Sequence, residues 1–138
     1  MSGSAEHAFL LPIRVYIEDT DAGGIVYYVN YLKYFERART ELMRAAGFAK
    51  AGLMDEKTQF VVHGLSVDYH KPAKLDDELI ASASVERCRR ASMWFAQRIM
   101  RGDEVLCSAQ VKVACVQPGT LRPQPLPRVV RDAFSGAC

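Results

Sequence analysis

The chain has 138 residues, 49% of them hydrophobic, with 18 basic and 16 acidic side chains and a formal net charge of +2. That length is typical of one domain, and the apolar fraction is sufficient for one core. The nearly balanced charge gives no support for broad binding to nucleic acid or to a membrane surface. No apolar run approaches the ~20 residues of a membrane span. The N-terminal residues lack the basic and apolar segments of a signal peptide, so we expect a cytoplasmic protein.

The first predicted strand, residues 11–17, ends in a turn that is rich in acids and glycine. The turn contains Glu18, Asp19, Asp21, Gly23 and Gly24. Asp19 continues the strand parity, whereas Asp21 lies beyond the strand and nearer the start of the next helix. The segment therefore places a carboxylate beside a helix N-terminus, where free N–H groups and the positive end of the helix dipole lie. Acyl-transfer chemistry needs a base or nucleophile beside such an oxyanion-stabilising site.

One long helix is predicted from Asn30 to Ala46. Asn30 is a suitable N-cap, and Gly47 suits the left-handed position that ends a helix. At ~1.5 Å per residue the helix is about 25 Å long, which is enough to lie across a sheet. Apolar residues recur at three- and four-residue spacing, as in a helix that buries one face. They include Leu32, Phe35, Ala38, Leu42 and Ala45.

Four further strands follow the helix. Period-two alternation and β-branched content predict them at residues 60–70, 79–86, 93–100 and 105–116. Because short turns join these strands, we expect a largely antiparallel sheet with the helix on one face, an α+β fold. One helix cannot cover five strands, so we expect a homodimer, which can in turn form a dimer of dimers.

The four cysteines show no metal-binding spacing. They are Cys88, Cys107, Cys115 and Cys138, and none of them forms a CxxC or CxH pair. A zinc site is therefore not expected. We expect reduced thiols that pack as small hydrophobic side chains.

Several segments of the chain resemble a known family. They are residues 18–27 (EDTDAGGIVY), 30–32 (NYL), 35–41 (FERARTE), 67–77 (VDYHKPAKLDD) and 96–99 (AQRI). In this order and spacing they are similar to the signature of the 4-hydroxybenzoyl-CoA thioesterase family of hotdog-fold proteins. Within that family they are most similar to the bacterial Tol-Pal-associated acyl-CoA thioesterases. We expect a hotdog domain at 11–127, a flexible N-terminal segment at 1–10 and a C-terminal tail at 128–138.

The resemblance implies a fold, a reaction and a catalytic residue. In the hotdog fold a curved, five-stranded antiparallel sheet wraps one long helix, and two subunits join their sheets edge to edge. The implied reaction hydrolyses a thioester of coenzyme A, or of acyl carrier protein, and needs no cofactor. The catalytic carboxylate falls on Asp21, as nucleophile or as general base, and backbone N–H groups near Tyr28 would polarise the carbonyl.

Other site residues rest on the same resemblance. Glu36 lies where the family often has an acid, which either positions water or pairs with an arginine. Tol-Pal-associated members usually carry histidine at the position of Tyr28, and aromatic-substrate members carry tyrosine, so the acyl preference stays open. The expected substrate contacts are Gly24, Ile25, Val26, Tyr27, Val62 and His63. The expected contacts to the coenzyme A phosphates are Arg87, Arg89, Arg90 and Ser92, and arginine suits phosphate through its bidentate fork.

The same residues allow other interpretations. Residues 19–24 resemble the start of a calcium loop, but its twelfth position is Asn30 rather than glutamate, so we expect no metal. The arginines could equally form a solvated hairpin tip, and His63 and His70 suit structural roles. Two other functions remain, a non-catalytic acyl-thioester-binding or scaffold protein and a hotdog dehydratase or hydratase. The latter normally needs a histidine paired with an acid.

Overall fold

A computed structural model describes residues 8–47 and 57–138. This part of the chain contains one five-stranded sheet, one long helix and one short helix near the C-terminus. No helix in it is both long and apolar enough to cross a membrane. The strands are β1 (Phe9–Arg14), β2 (Gln59–Tyr69), β3 (Glu78–Cys88), β4 (Ser92–Arg101) and β5 (Glu104–Val116). The helices are α1 (Asn30–Ala45) and α2 (Arg128–Ala133).

The sheet has the strand order β1-β3-β4-β5-β2, and every neighbouring pair is antiparallel. The antiparallel α+β prediction is therefore confirmed. β1 and β2 form the two edges of this sheet. β2 contains a bulge between Val62 and Gly64, which leaves His63 without a partner in the ladder with β5. A bulge of this kind bends a strand and turns its side chains to new directions.

The core lies between α1 and the inner face of the sheet, and it includes residues of β5 such as Val111. The helix packs mainly on β1, β3 and β4, and Phe35, Ala38 and Ile99 are fully buried there. Each large side chain buried in this way contributes about 1.5–3 kcal/mol. Gln97, which is 2% exposed, connects the two layers because its amide donates to the carbonyl of Phe35 at 3.0 Å. Its oxygen accepts from Arg39 at 2.9 Å.

The inner face of the edge strand β2 has no such cover. Val62 and Leu65 pair with the inward-facing Val113 and Val111 of β5, which places them on the helix side. They are nevertheless 53% and 46% exposed, and Tyr69 at the end of β2 is 47% exposed. The expectation that one helix leaves part of the sheet uncovered is confirmed. The homodimer that would cover it stays a prediction.

The segment between β1 and α1 differs from expectation in two places. The strand ends at Arg14 rather than Ile17, because Asp19 donates its N–H to the carbonyl of Tyr16 at 3.0 Å and closes a short 3-10 turn. Asn30 is the first residue of α1 and not its N-cap, since its side chain donates to the carboxylate of Asp19. Gly47 adopts the expected left-handed conformation, with φ of 108°.

The C-terminal segment packs against the hairpin that joins β3 to β4. Val130 of α2 is fully buried, and Cys88 forms a disulfide with Cys138, their Cα atoms 4.6 Å apart. The expectation of reduced thiols is therefore wrong for this pair and right for Cys107 and Cys115, which are free and buried. A crosslink over a sequence separation of 50 residues stabilises by about 4 kcal/mol through lost chain entropy.

The proposed division of the chain stays a prediction. Residues 1–7 of the expected flexible segment lie outside the described residues, and β1 begins at Phe9. The expected C-terminal tail contains α2.

Thiol counting tests this arrangement of the cysteines. Burial raises the pKa of Cys107 to about 12, with a further contribution from the charge of Asp68, and burial also raises the pKa of Cys115. Native protein at pH 8 should therefore show no reactive thiol with a thiol-specific reagent, since the thiolate is the reactive form. Denatured protein should show two thiols without reductant and four after reduction. Four thiols before reduction would contradict the disulfide.

Candidate active site

Asp21 lies in a tight turn between β1 and α1. Thr20 and Val26 form an antiparallel bridge. Inside it, Asp21 donates its N–H to Ile25 at 2.9 Å, and Gly24 donates to the carbonyl of Asp21 at 3.1 Å. Gly24 has φ of 81°, a left-handed conformation that glycine adopts without a steric penalty. The turn therefore has its own main-chain hydrogen bonds.

A second segment holds this turn in place. Val26 donates its N–H to Ala73 at 2.8 Å, and Leu75 donates to the carbonyl of Gly24 at 3.3 Å. Ile25 forms an antiparallel bridge with Lys74. Of the expected substrate contacts in the turn, Val26 is buried and Ile25 is 37% exposed. The turn is thus attached to the segment that leads into β3.

The side chain of Asp21 is exposed in the single chain. Its Oδ1 accepts the N–H of Gly23 at 2.8 Å. A Cβ atom at Gly23 would lie 3.3 Å from that oxygen, so glycine permits the close approach. No described residue donates a hydrogen bond to the other carboxylate oxygen. That oxygen is available to a substrate or to water.

The acid that contacts the start of α1 is Asp19 and not Asp21, contrary to expectation. Asp19 is 7% exposed. Its Oδ2 accepts the N–H of Tyr16 and its Oδ1 accepts the side-chain amide of Asn30, both at 2.9 Å. Burial, and then the negative charge of Asp19, raise the pKa of Tyr34. The buried Tyr34 hydroxyl lies beside the Asp19 carboxylate, although no hydrogen bond of good geometry joins it to a described residue.

Two backbone N–H groups are unpaired immediately before α1. The first three N–H groups of the helix each donate to a carbonyl three residues earlier, so they are occupied. The N–H of Tyr27 is also occupied, since it donates to the carbonyl of Asp19 at 2.9 Å. Between them, the N–H groups of Tyr28 and Val29 donate to no described residue. Such groups can bind a carbonyl oxygen or an oxyanion.

Tyrosine side chains surround these N–H groups. The ring of Tyr28 lies 5.0 Å from that of Tyr27 and 6.1 Å from that of Tyr69, measured between centroids. The Tyr69 hydroxyl donates to the carbonyl of Tyr28 at 3.3 Å, and its ring lies 5.6 Å from that of Tyr31. Tyr69 was not predicted as a site residue. Its position at the end of β2, on the face of the sheet that carries the helix, is the feature that indicates such a role. The cluster adjoins the uncovered part of the sheet.

The other expected members of the site are more dispersed. Glu36 is exposed on α1, and its charge partly opposes the lowering of the pKa of Arg39 by burial. This electrostatic interaction agrees with the structural alternative for Glu36, in which it pairs with an arginine. No described hydrogen bond joins Glu36 to Asp21 or Tyr28. His63 is exposed at the bulge of β2.

A cluster of positive charges surrounds Trp94 on the outer face of the sheet. The guanidinium carbons of Arg87 and Arg89 lie 4.2 and 5.8 Å from the centroid of the Trp94 ring, and Nζ of Lys112 lies 5.1 Å from it. None of these three cations forms an ion pair with a described residue. Lys112 and Trp94 were not predicted, because only strand pairing places them beside Arg87.

The C-terminal segment fixes the backbone of the β3–β4 hairpin. The guanidinium of Arg131 donates to the carbonyls of Arg89 and Arg90, both at 3.1 Å. The N–H of Leu126 donates to Arg90 at 2.8 Å, and Arg89 donates to the carbonyl of Ser92 at 2.8 Å. The backbone of the tip is therefore held while the side chains of Arg89 and Arg90 remain exposed.

A groove of about 400 Å³ opens between β1 and α1. It contains Asp19, Arg37 and Glu41, and not Asp21. Within residues 8–47 and 57–138, no group of three His, Cys, Asp or Glu side chains is arranged to hold a metal ion.

Comparison with known proteins agrees with this architecture. The model of the thioesterase superfamily matches residues 23–108. The Haemophilus influenzae acyl-CoA thioesterase YbgC is 46% identical over 94% of this chain and 96% of its own. The acyl-CoA thioester hydrolase YbgC of Escherichia coli O6:H1 is 43% identical over 91% and 95%. A probable thioesterase structure from Bartonella henselae is 33% identical, with TM-score 0.77 over 87% and 98%. The chain has a hotdog fold and belongs to the thioesterase superfamily.

Proposed function

We propose that this protein hydrolyses acyl-CoA thioesters to a free acid and coenzyme A. The observation that carries the proposal is the pair of unpaired N–H groups at Tyr28 and Val29, in the same loop as the exposed carboxylate of Asp21. A donor for the carbonyl oxygen and an acid for the attack are the two groups that thioester hydrolysis needs. The relatives named as acyl-CoA thioesterases support this reaction over others.

In the proposed reaction the N–H of Tyr28 donates to the thioester oxygen and stabilises the negative charge that develops on it. Asp21 either attacks the carbonyl carbon or removes a proton from an attacking water. In the first route the C–S bond breaks, the thiolate leaves, and water hydrolyses the resulting anhydride. In the second route the acid and the thiol form directly. Both routes need the Asp21 carboxylate to reach the substrate, which agrees with its exposed position at the turn.

The acyl group would bind beside the tyrosine cluster. Tyr28 and Tyr69 present exposed rings next to the unpaired N–H groups, and Val62 and Leu65 extend this apolar surface along β2. Ring faces and aliphatic side chains can both accept an apolar acyl chain or an aromatic acyl group. Acyl carrier protein thioesters would present the same reacting carbonyl.

Removal of the Asp21 carboxylate provides the direct test. Asp21→Asn should lower kcat by more than about a hundredfold, since general-base or nucleophilic assistance is lost. Released thiol is measured with short-chain, long-chain and aromatic acyl-CoAs, and circular dichroism checks the fold. Glu18→Gln is the matched control because Glu18 is an exposed acid of the same segment.

Full activity of Asp21→Asn would refute the assignment of this residue. Binding of every acyl-CoA without turnover by the wild type would instead favour the acyl-thioester-binding alternative. Within residues 8–47 and 57–138 nothing favours a dehydratase, since His70 bonds to the Ser108 hydroxyl at 3.0 Å and neither His70 nor His63 forms an ion pair with an acid there.

The cations around Trp94 would hold the phosphates of coenzyme A. Arg89 is exposed and forms no ion pair with a described residue. Arg89→Ala should raise KM for an acyl-CoA about tenfold, because a charge-assisted hydrogen bond contributes about 1.5–3 kcal/mol. The KM for the matching acyl-pantetheine, which lacks the nucleotide, should stay unchanged. Arg98→Ala, an exposed arginine on β4, is the control. An equal effect on both substrates would contradict the phosphate contact.

We also propose that two copies of the chain associate through β2. This strand is an edge of the sheet, and an edge with exposed apolar residues such as Leu65 favours pairing with another chain. Light scattering should give about twice the 15.4 kDa mass of one chain. Leu65→Lys should shift the mass toward that of one chain, whereas Ser66→Lys on the outer face should not. A wild-type mass of one chain would contradict the dimer.

A further inference from the structure

Asp19 is buried in the site, although the proposed reaction gives it no chemical step. An ionised carboxylate is unfavourable in a protein interior unless hydrogen bonds satisfy it. Asp19 is 7% exposed, and each of its oxygens accepts one hydrogen bond at 2.9 Å, from the N–H of Tyr16 and from the side chain of Asn30. The carboxylate therefore connects the residues that follow β1 to the first residue of α1.

The main chain of Asp19 makes a third connection. Its carbonyl accepts the N–H of Tyr27 at 2.9 Å, one residue before Tyr28. The short segment from Tyr27 to Asn30 is thus held at both ends by one residue, at Tyr27 through the carbonyl and at Asn30 through the carboxylate. The two unpaired N–H groups lie between these attachment points.

We propose that Asp19 is a positioning residue that directs the N–H of Tyr28 toward the thioester oxygen. This proposal rests on the proposed function. Asp19 acts through geometry and not through its charge, because a negative charge beside the developing oxyanion would oppose the reaction. A displacement of about 1 Å in a catalytic group can lower a rate about a hundredfold. The attachment of both ends of the segment limits such displacements.

An exchange of the two hydrogen-bonding side chains tests this role. Asp19→Asn leaves one acceptor oxygen for two donors, so one of the two bonds is lost. Asn30→Asp alone would bring two carboxylates together. The double variant Asp19→Asn/Asn30→Asp restores an amide–carboxylate pair with the roles exchanged, and the amide oxygen at position 19 still accepts from Tyr16.

The expected result is a change in kcat that the exchange reverses. Asp19→Asn should lower kcat at least about tenfold, with KM within about threefold of the wild-type value. The double variant should recover kcat to within about threefold of the wild type. Glu18→Gln, which removes an exposed carboxylate next in the chain, should leave kcat and KM unchanged. Melting temperatures are measured for all variants.

If Asp19→Asn folds, either of two kinetic results would overturn the proposal. One is full kcat in Asp19→Asn. The other is a double variant that regains the wild-type melting temperature and still has the low kcat of Asp19→Asn. If Asp19→Asn does not fold, the double variant is compared directly with the wild type, and a kcat lower by more than about tenfold overturns the proposal.

A measurement that does not depend on catalysis tests the positioning role of Asp19 separately from the proposed function. If the wild type hydrolyses no acyl-CoA, the proposed function fails. The amide nuclear magnetic resonance signal of Tyr28 then tests the positioning alone. It should shift in Asp19→Asn and return toward the wild-type value in the double variant. A signal unchanged in Asp19→Asn would overturn the positioning role.

Discussion

The contact on which this site depends is the burial of the Asp19 carboxylate between the end of β1 and the start of α1. A buried charge requires hydrogen-bond donors, and the structure supplies them from Tyr16 and Asn30. These donors come from both sides of the loop that contains Asp21 and Tyr28. The hydrogen bonds that stabilise the buried Asp19 carboxylate therefore also determine the path of the loop.

The coverage of the sheet explains where the site lies. Helix α1 packs on β1, β3 and β4 and leaves the inner face of β2 exposed. The loop before α1 stands at the boundary between the two regions, and the hydrogen bond from Tyr69 to Tyr28 joins it to β2. An apolar surface next to a polar loop is the common composition of a small-molecule site. The same surface is the one that a second subunit would cover.

Local patterns were sufficient for most of the fold. The helix was predicted to end at Ala46 and ends at Ala45, and each of the four later strands lies within two residues of its predicted bounds. Periodicity of apolar residues reports which face of an element is buried, and that signal is contained within the element itself. The turn around Asp21 and the left-handed Gly47 also followed from residues adjacent in the chain. The family resemblance, and not the periodicity, selected the hotdog architecture and Asp21.

The sequence by itself determined the order of the five strands and the long helix, the α+β class and the loop that carries the site, but not the short helix α2. Only the tertiary structure decided that Asp19 is the buried acid at the start of α1, that Lys112 joins the cations around Trp94, and that Cys88 pairs with Cys138. Each of these contacts joins residues that lie far apart in the chain or on different elements. Their formation depends on strand register and on the path of the chain between them, and a local pattern specifies neither.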